Sequence, residues 1–529
     1  MTADFPDGTR RVTHAGEAMI ATSHPLASAS GLRVLSEGGS AADAAIAACA
    51  VQCVADPLMT GIGGDCFALY APAGGPVRAL NGSGRAPAAA DPEALIAAGL
   101  TEIPRRSPHA VTIPGALSAW ALLHRDHGRL PFDRLLRDAI GYAADGYPVA
   151  PRVAWDWARN AAFIGEDPCA ASVYLPGGAP PGAGSRHSQP ALAHTLRRVA
   201  QEGVAGFYEG EAAASMVRFL QGIGGVQTEA DFAAARDAAF WDSPISTLYR
   251  GYEVLECPPN GQGLAALMIL RILDGFDLSP DLPPAARIHL HAEATKLAYH
   301  HRDALLADPA ASAGLADKLL SDPVIAALRA RIDPSRAGRP ALWSEPEHRD
   351  TICLAVVDRD GNAISFINSI FNPFGSGLLD PGSGVLFHNR GCSFRLAGGH
   401  PNRLAPGKRP MHTIIPGMLR DRGEVIMPFG VMGGHYQAAG HAAFLSGMID
   451  CGLDPQEAIN QPRSFAFGGV LEVEAAIPAG VRADLGAMGH RTRLAPAPIG
   501  GAQAILIDRR QGVLLGGSDG RKDGLALGW

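Results

Sequence analysis

Between residues 352 and 370 the chain is mostly apolar, interrupted by a polar stretch at 358–362 and by Ser365, Asn368 and Ser369. Ile352-Cys353-Leu354-Ala355-Val356-Val357 is rich in β-formers. Asp358-Arg359-Asp360-Gly361-Asn362 carries turn residues, and a second apolar run follows at 363–370, so the pattern predicts a hairpin ending in the glycine-rich turn Phe374-Gly375-Ser376-Gly377. Upstream, residues 25–37 read as a helix stopped by Gly38-Gly39. Ser40, with Asp43 three positions on, is a capping-box signal for an alanine-rich helix over 41–54. Gly61-Ile62-Gly63-Gly64-Asp65 then leads into a strand at 66–70. Residues 111–123, 130–149, 185–209 and 228–241 read as helical. A strand is expected at 249–255, and helices at 264–273 and 288–306. Residues 319–350 are rich in Pro and Arg without a sustained period, which marks a linker, and 384–391 read as a further strand and turn.

Composition narrows the class. With 529 residues, 47% of them hydrophobic, the chain can build a large core. The net charge of −7 and the absence of a basic run argue against a nucleic-acid partner, and no apolar stretch is long enough to span a bilayer. The polar start, residues 1–11, has no apolar core of a signal peptide, so a cytoplasmic location is expected. The eight cysteines are scattered without CxxC pairs; Cys353 and Cys392 read as buried structural thiols. His289, His291, His300 and His301 share a helix, but no HExxH and no Cys partner at zinc spacing accompanies them. They read as solvated or capped, with no metal and no cofactor implied. The Gly61–Gly64 turn lacks the Lys-Ser/Thr of a phosphate-binding loop, so no nucleotide site is assigned.

By local pattern alone Thr351 opens a strand, Arg85 is a loop arginine and Gly433-Gly434 is a tight turn. Taken together, His348-Arg349-Asp350-Thr351-Ile352-Cys353, the block Gly31 to Ala45, and Gly433-Gly434 resemble the γ-glutamyltransferase (glutathione hydrolase) family over about residues 21–524. The resemblance implies an α+β fold, the four-layer αββα sandwich of N-terminal nucleophile hydrolases. It implies self-cleavage between Asp350 and Thr351 into a large piece, 1–350, and a small piece, 351–529, interleaved in one catalytic domain. Thr351 would then be nucleophile and, through its freed α-amine, its own base. That amine has an unperturbed pKa of roughly 7.7–8.0, suited to activating a weakly nucleophilic hydroxyl. Ser369 matches a family hydroxyl near the nucleophile, Gly433 and Gly434 match its oxyanion pair, and Arg85 matches an arginine that grips a substrate carboxylate.

The chain departs from the family where a glutamyl α-amine would be held. The aspartate position falls on Ser393, the amide position on Phe371, and a carboxylate-binding pair of serines is His412-Thr413. A buried ammonium without a carboxylate is costly. The expected substrate is therefore a small amide bearing a carboxylate but no nearby amine, as in the branch that includes oxamate amidohydrolase and the cephalosporin acylases. Two alternatives stay open: a true γ-glutamyltransferase or glutathione hydrolase, and an uncut, non-catalytic protein that binds anions or a partner. The implied assembly is the two pieces of one precursor, with a homodimer of that heterodimer as an open alternative.

Overall fold

The computed structural model describes residues 9–338 and 351–529. Two seven-stranded sheets form its centre. In one, Ile352–Val357 pairs antiparallel with Ala363–Ser369, which pairs with Asp65–Ala71; Arg78–Gly82 and Phe240–Asp242 extend one side, Met19–Ala21 and Ala526–Gly528 the other. The second sheet runs Thr13–Ala15, Val513–Ser518, Gly501–Asp508, Glu424–Met432, Gly417–Asp421, Tyr252–Glu256, Ile245–Tyr249. Residues on both sides of position 350 contribute strands to each sheet.

Side-chain alternation explains the stacking. Ile352, Leu354 and Val356 face helices such as Ala41–Ala55, whereas Cys353, Ala355 and Val357 face the second sheet. A strand covered on both faces has no need of polar residues, which is why the sequence reads as an unbroken apolar run. Between the sheets lie Phe67, Leu69, Ile367, Met418, Met432 and Ile505. Ser365 Oγ donates to Phe429 O across the gap at 2.6 Å. The outer face of the second sheet packs on the helices Gly263–Leu273, Pro284–Leu305 and Tyr436–Ile449. The layers are thus helix, sheet, sheet, helix, as expected.

Several expected elements need correction. The helix expected over 111–123 begins only at Ala116, because the N–H groups of Gly115 and Ala116 both donate to Gly64 O and hold the preceding residues extended. The segment 228–241 is helical only over Glu229–Ala235 and ends in the edge strand Phe240–Asp242. Residues 249–255 are not one strand but the turn and second arm of a hairpin, with Arg250 and Gly251 at positive φ (51° and 86°). The first part of the expected linker contains the helix Asp322–Arg329. His289 is buried rather than solvated, its ring held between His490 Nε2 and Asp333 O, each at 2.8 Å. No helix among the described residues is long and apolar enough to cross a membrane.

Candidate active site

Thr351 is fully buried at the start of its strand. The register Ile352↔Asn368 brings its side chain opposite Ser369, and the two hydroxyl oxygens lie 3.1 Å apart. The hairpin turn sets this register. Asp358 accepts from Asp360 N and Asn362 N, and Gly361 supplies the positive φ of 85°. The Gly61–Gly64 turn lies against the same strand end. A Cβ on Gly64 would sit 2.3 Å from Ser369 O, so the glycine there permits backbone contact and not phosphate binding.

A second wall comes from the end of the strand Glu424–Met432. Gly433 and Gly434 have φ of 124° and 59°, and a Cβ on Gly433 would meet Gly500 Cα at 2.9 Å. Among the described residues, neither glycine N–H donates within the protein. The following helix starts at Tyr436, and the N–H groups of Tyr436 and Gln437 donate to Gly433 O and Gly434 O at 3.0 and 3.2 Å, which ties the turn to the helix. Gln437, one residue into that helix, donates to Thr351 Oγ1 at 3.4 Å and accepts from Ile415 N at 3.1 Å. Gln437 escaped the sequence reading because a glutamine in a first helical turn looks like a surface residue.

A third wall holds a cation. Arg390, in the 3₁₀ turn Arg390–Ser393, is fully buried. Its Nη1 donates to Thr413 Oγ1 at 3.0 Å, and its guanidinium lies 4.0 Å from the centroid of the Phe371 ring. Phe371 sits at a φ of 80°, and its N–H donates to Ser369 Oγ at 3.0 Å. Gln262 Nε2 donates both to Thr413 O (2.7 Å) and to Gly434 O (3.0 Å). The contacts form a closed circuit: Thr351, Gln437, the Gly433-Gly434 turn, Gln262, Thr413, Arg390, Phe371, Ser369 and back to Thr351. Thr351, the Gly433-Gly434 turn and Arg390 thus belong to one connected set of contacts.

The other residues singled out in the sequence stand differently. Ser393 is buried, its carbonyl accepts from Asn402 Nδ2 at 2.5 Å, and its hydroxyl has no partner among the described residues. His412 spends its ring on the protein: Nε2 contacts Asp65 Oδ2 at 3.0 Å, and Nδ1 accepts from Ile414 N at 3.4 Å. Burial, then the Arg390 charge, pushes its pKa down to about 3 against the pull of Asp65, so the ring is neutral at pH 7. Burial opposes ionisation of Asp65, but His388 and His412 outweigh it and hold the carboxyl below the usual range. Arg85 is exposed and donates to Gly407 O at 2.8 Å; none of its hydrogen bonds reaches the circuit. Asp350 lies outside the described residues. Cys353 and Cys392 are buried thiols, and burial pushes Cys392 up to about 12. A cavity of about 450 Å³ borders the helix Tyr436–Ile449 on the side of Tyr436, Gly440 and Phe444 and does not include Thr351.

The gamma-glutamyltranspeptidase family model matches residues 27–529. The glutathione hydrolase-like YwrD proenzyme of Bacillus subtilis is 35% identical over 525 residues, spanning 96% of this chain and 98% of that protein. The oxamate amidohydrolase proenzyme of Klebsiella pneumoniae is 36% identical over 527 residues, spanning 97% and 98%. The crystal structure of a cephalosporin acylase from Bacillus halodurans superposes with a TM-score of 0.93 at 38% identity, covering 100% of this chain and 99% of that one.

Proposed function

The chain belongs to the gamma-glutamyltranspeptidase family, and from that premise we propose that it is an autoprocessing threonine amidohydrolase acting on a small carboxylate-bearing amide. The observation that carries the reading is the buried Thr351 hydroxyl, 3.1 Å from Ser369 Oγ and linked through Gln437 to the Gly433-Gly434 turn. Thr351 Oγ1 attacks the carbonyl carbon of Asp350, the acyl group passes from nitrogen to oxygen as the C–N bond breaks, and water hydrolyses the resulting ester, leaving a carboxylate on Asp350 and a free amine on Thr351. That amine takes the hydroxyl proton as Thr351 Oγ1 attacks the substrate carbonyl. The N–H groups of Gly433 and Gly434 receive the developing oxyanion, each donor contributing roughly 3–4 kcal/mol of barrier lowering. The amine then passes the proton to the leaving nitrogen as the C–N bond breaks. Water next hydrolyses the threonine ester, releasing the acid.

Ser369 orients Thr351 in this scheme. Arg85, Ser393, His412 and Thr413 remain the positions to which the resemblance assigns substrate contacts. The relatives act on different amides by their names, and oxamate and the acylase substrates set the range to assay. The two pieces, 1–350 and 351–529, stay together as one catalytic unit.

Mass spectrometry of purified protein tests the reading. We expect a piece of 179 residues beginning at Thr351, and an uncut, inactive chain for Thr351→Ala. Active protein with continuous backbone through residue 351 would refute it. Assay of oxamate, a glutaryl anilide and a γ-glutamyl anilide separates the amidohydrolase from a γ-glutamyltransferase.

A further inference from the structure

We propose that His289, Glu293 and His490 bind a Zn²⁺ ion, and that the ion ties the piece 1–350 to the piece 351–529. None of the three residues belongs to the circuit of contacts around Thr351. The ion site stands apart from the amidohydrolase reading; only its bridging role rests on the cut between Asp350 and Thr351.

Sequence spacing hid the cluster, because His490 lies 201 positions beyond His289. The fold closes that gap. His289 and Glu293 stand one turn apart on the helix Pro284–Leu305, so their side chains leave the same face. His490 follows the turn at Gly489 (φ 95°), between the helix Ala479–Ala487 and the strand Thr492–Leu494. Leu485 of that helix is buried with Ala285 and Ala292 of the longer one, which sets His490 against His289. All three side chains are buried, and one ligand atom from each lies within 4.8 Å of the other two.

Three observations point to a metal ion rather than to a histidine pair that merely satisfies itself. The first is the donor set: two imidazoles and one carboxylate, completed by a water, form an open zinc site. The second is the fixed tautomer of His289. Asp333 O can only accept, so His289 Nε2, 2.8 Å away, carries the hydrogen and Nδ1 presents a lone pair. A backbone carbonyl on the far N–H is the usual brace of a ligating histidine. The third is the carboxylate. Lys296 Nζ donates to Glu293 Oε1 at 2.6 Å and Gly338 N to Oε2 at 3.0 Å, which leaves a lone pair on each oxygen. The nearby Lys296 ammonium is a like charge, so zinc should bind less tightly here than in a closed site of four ligands.

The site also has room. His490 Nε2 and His289 Nδ1 are 2.8 Å apart. To receive zinc they separate by about 0.5 Å, to the roughly 3.3 Å kept by two ligands of a tetrahedral ion. The hydrogen between them passes from Nε2 to Nδ1 of His490, so both rings bind neutral. A cavity of about 250 Å³, bordered by Lys296, Gly338, Leu471, Gly489 and His490, admits the hydrated ion and holds the water of the fourth position. Two ligands come from before the cut and one from after it, so a single ion adds a link across the boundary.

The test strips untagged, processed enzyme with EDTA, desalts it and titrates it calorimetrically with ZnCl₂. We expect one saturable site per chain, and the visible bands of four-coordinate Co²⁺ when CoCl₂ replaces zinc. His490→Gln keeps an N–H for His289 Nδ1 but loses the ligand, so affinity should fall roughly 100-fold or more; Glu293→Gln should weaken it by about 10–100-fold. Saturating zinc should raise the urea midpoint of the cut wild type and leave that of His490→Gln in place. Should His490→Gln fail to fold, Glu293→Gln and the cobalt spectrum decide. The proposal falls if wild type takes up no stoichiometric zinc. It falls equally if His490→Gln binds zinc as tightly, which would mark an adventitious ion at surface histidines. Zinc bound here with no change in the urea midpoint would overturn the bridging role. Thr351→Ala, expected uncut, should bind zinc as wild type does, so failure of the ion site and failure of the amidohydrolase reading are separate results.

Discussion

At the scale of single residues, the site turns on where buried polar groups send their hydrogen bonds. Gln437 illustrates this. Its amide is shared between Thr351 Oγ1 and Ile415 N, so it fixes the Thr351 hydroxyl relative to the second sheet. Gln437→Leu keeps the bulk and removes both bonds. We expect kcat to drop by roughly 10–100-fold, the equivalent of one or two lost hydrogen bonds, with a smaller change in KM; steady-state kinetics on the processed enzyme checks this. Glu256 carries a different prediction. Burial raises its carboxyl from the ordinary value of 4.5 to about 7, against the pull of His441 2.6 Å away. The folded protein thus holds a proton that the unfolded chain releases between those values. Stability therefore falls as pH rises from about 4.5 to about 7 and levels off above, with a slope of at most about 1.4 kcal/mol per pH unit. In Glu256→Gln this contribution disappears, and urea midpoints across pH 4.5–8 should be flatter. The contact between Thr351 and Ser369 was legible in the sequence, Thr351 through its motif and Ser369 through its place eighteen residues on in the partner strand. Arg390 and Gln437 were not. A loop arginine and a helical glutamine join these contacts only when a 3₁₀ turn and a helix start are folded near the same strand end, and no local period records that.

At the scale of elements, the hairpin that presents Thr351 is tied to the helix Ala41–Ala55. Asp358 Oδ2 accepts from Ala41 N at 2.9 Å, while Asp358 Oδ1 accepts from the two turn amides, and Asn362 Nδ2 donates to both oxygens. A carboxylate at a helix start also complements the helix dipole. The sequence supplied half of this: the Ser40–Asp43 capping box is present as expected, with both reciprocal bonds formed. The long-range half, a turn acid satisfying a helix amide more than three hundred residues away, has no sequence signature. Asp358→Ala should cost roughly 2–3 kcal/mol, because several buried donors lose their acceptor together. It should also slow appearance of the 179-residue piece, since Thr351 sits at the other end of the same hairpin. A time course of processing, run beside a urea titration, measures both. The elements misjudged from sequence share one cause. The helix expected from 111 and the strand expected over 249–255 were each cut short by a tertiary or turn contact, Gly64 O in the first and the Arg250-Gly251 turn in the second.

At the scale of the whole molecule, the sheets bind together what processing divides. In the first sheet the strand Ile352–Val357 lies between Ala363–Ser369 and Met19–Ala21, and Ala526–Gly528 pairs on the other edge of Met19–Ala21. In the second, Glu424–Met432 and Gly417–Asp421 continue into Tyr252–Glu256, and Val513–Ser518 continues into Thr13–Ala15. Separating the pieces would break ladder hydrogen bonds in both sheets. It would also expose Leu354, Val356 and Phe366 on the helical side and Cys353, Val357 and Ile367 between the sheets. At roughly 1.5–3 kcal/mol for each large apolar side chain returned to water, even these few match the net stability of an ordinary domain. The cut chain should therefore elute as one species of unchanged size until a denaturant unfolds it. Residues 351–529 expressed alone should fail to give soluble, folded protein, because the small piece would keep Ala363–Ser369 without Asp65–Ala71 and Ala526–Gly528 without Met19–Ala21. Each bare strand edge and apolar face then favours aggregation. Size-exclusion chromatography of the processed enzyme, alongside expression of the small piece with and without residues 1–350, would contradict this argument if the pieces separated under native conditions or if the small piece folded by itself.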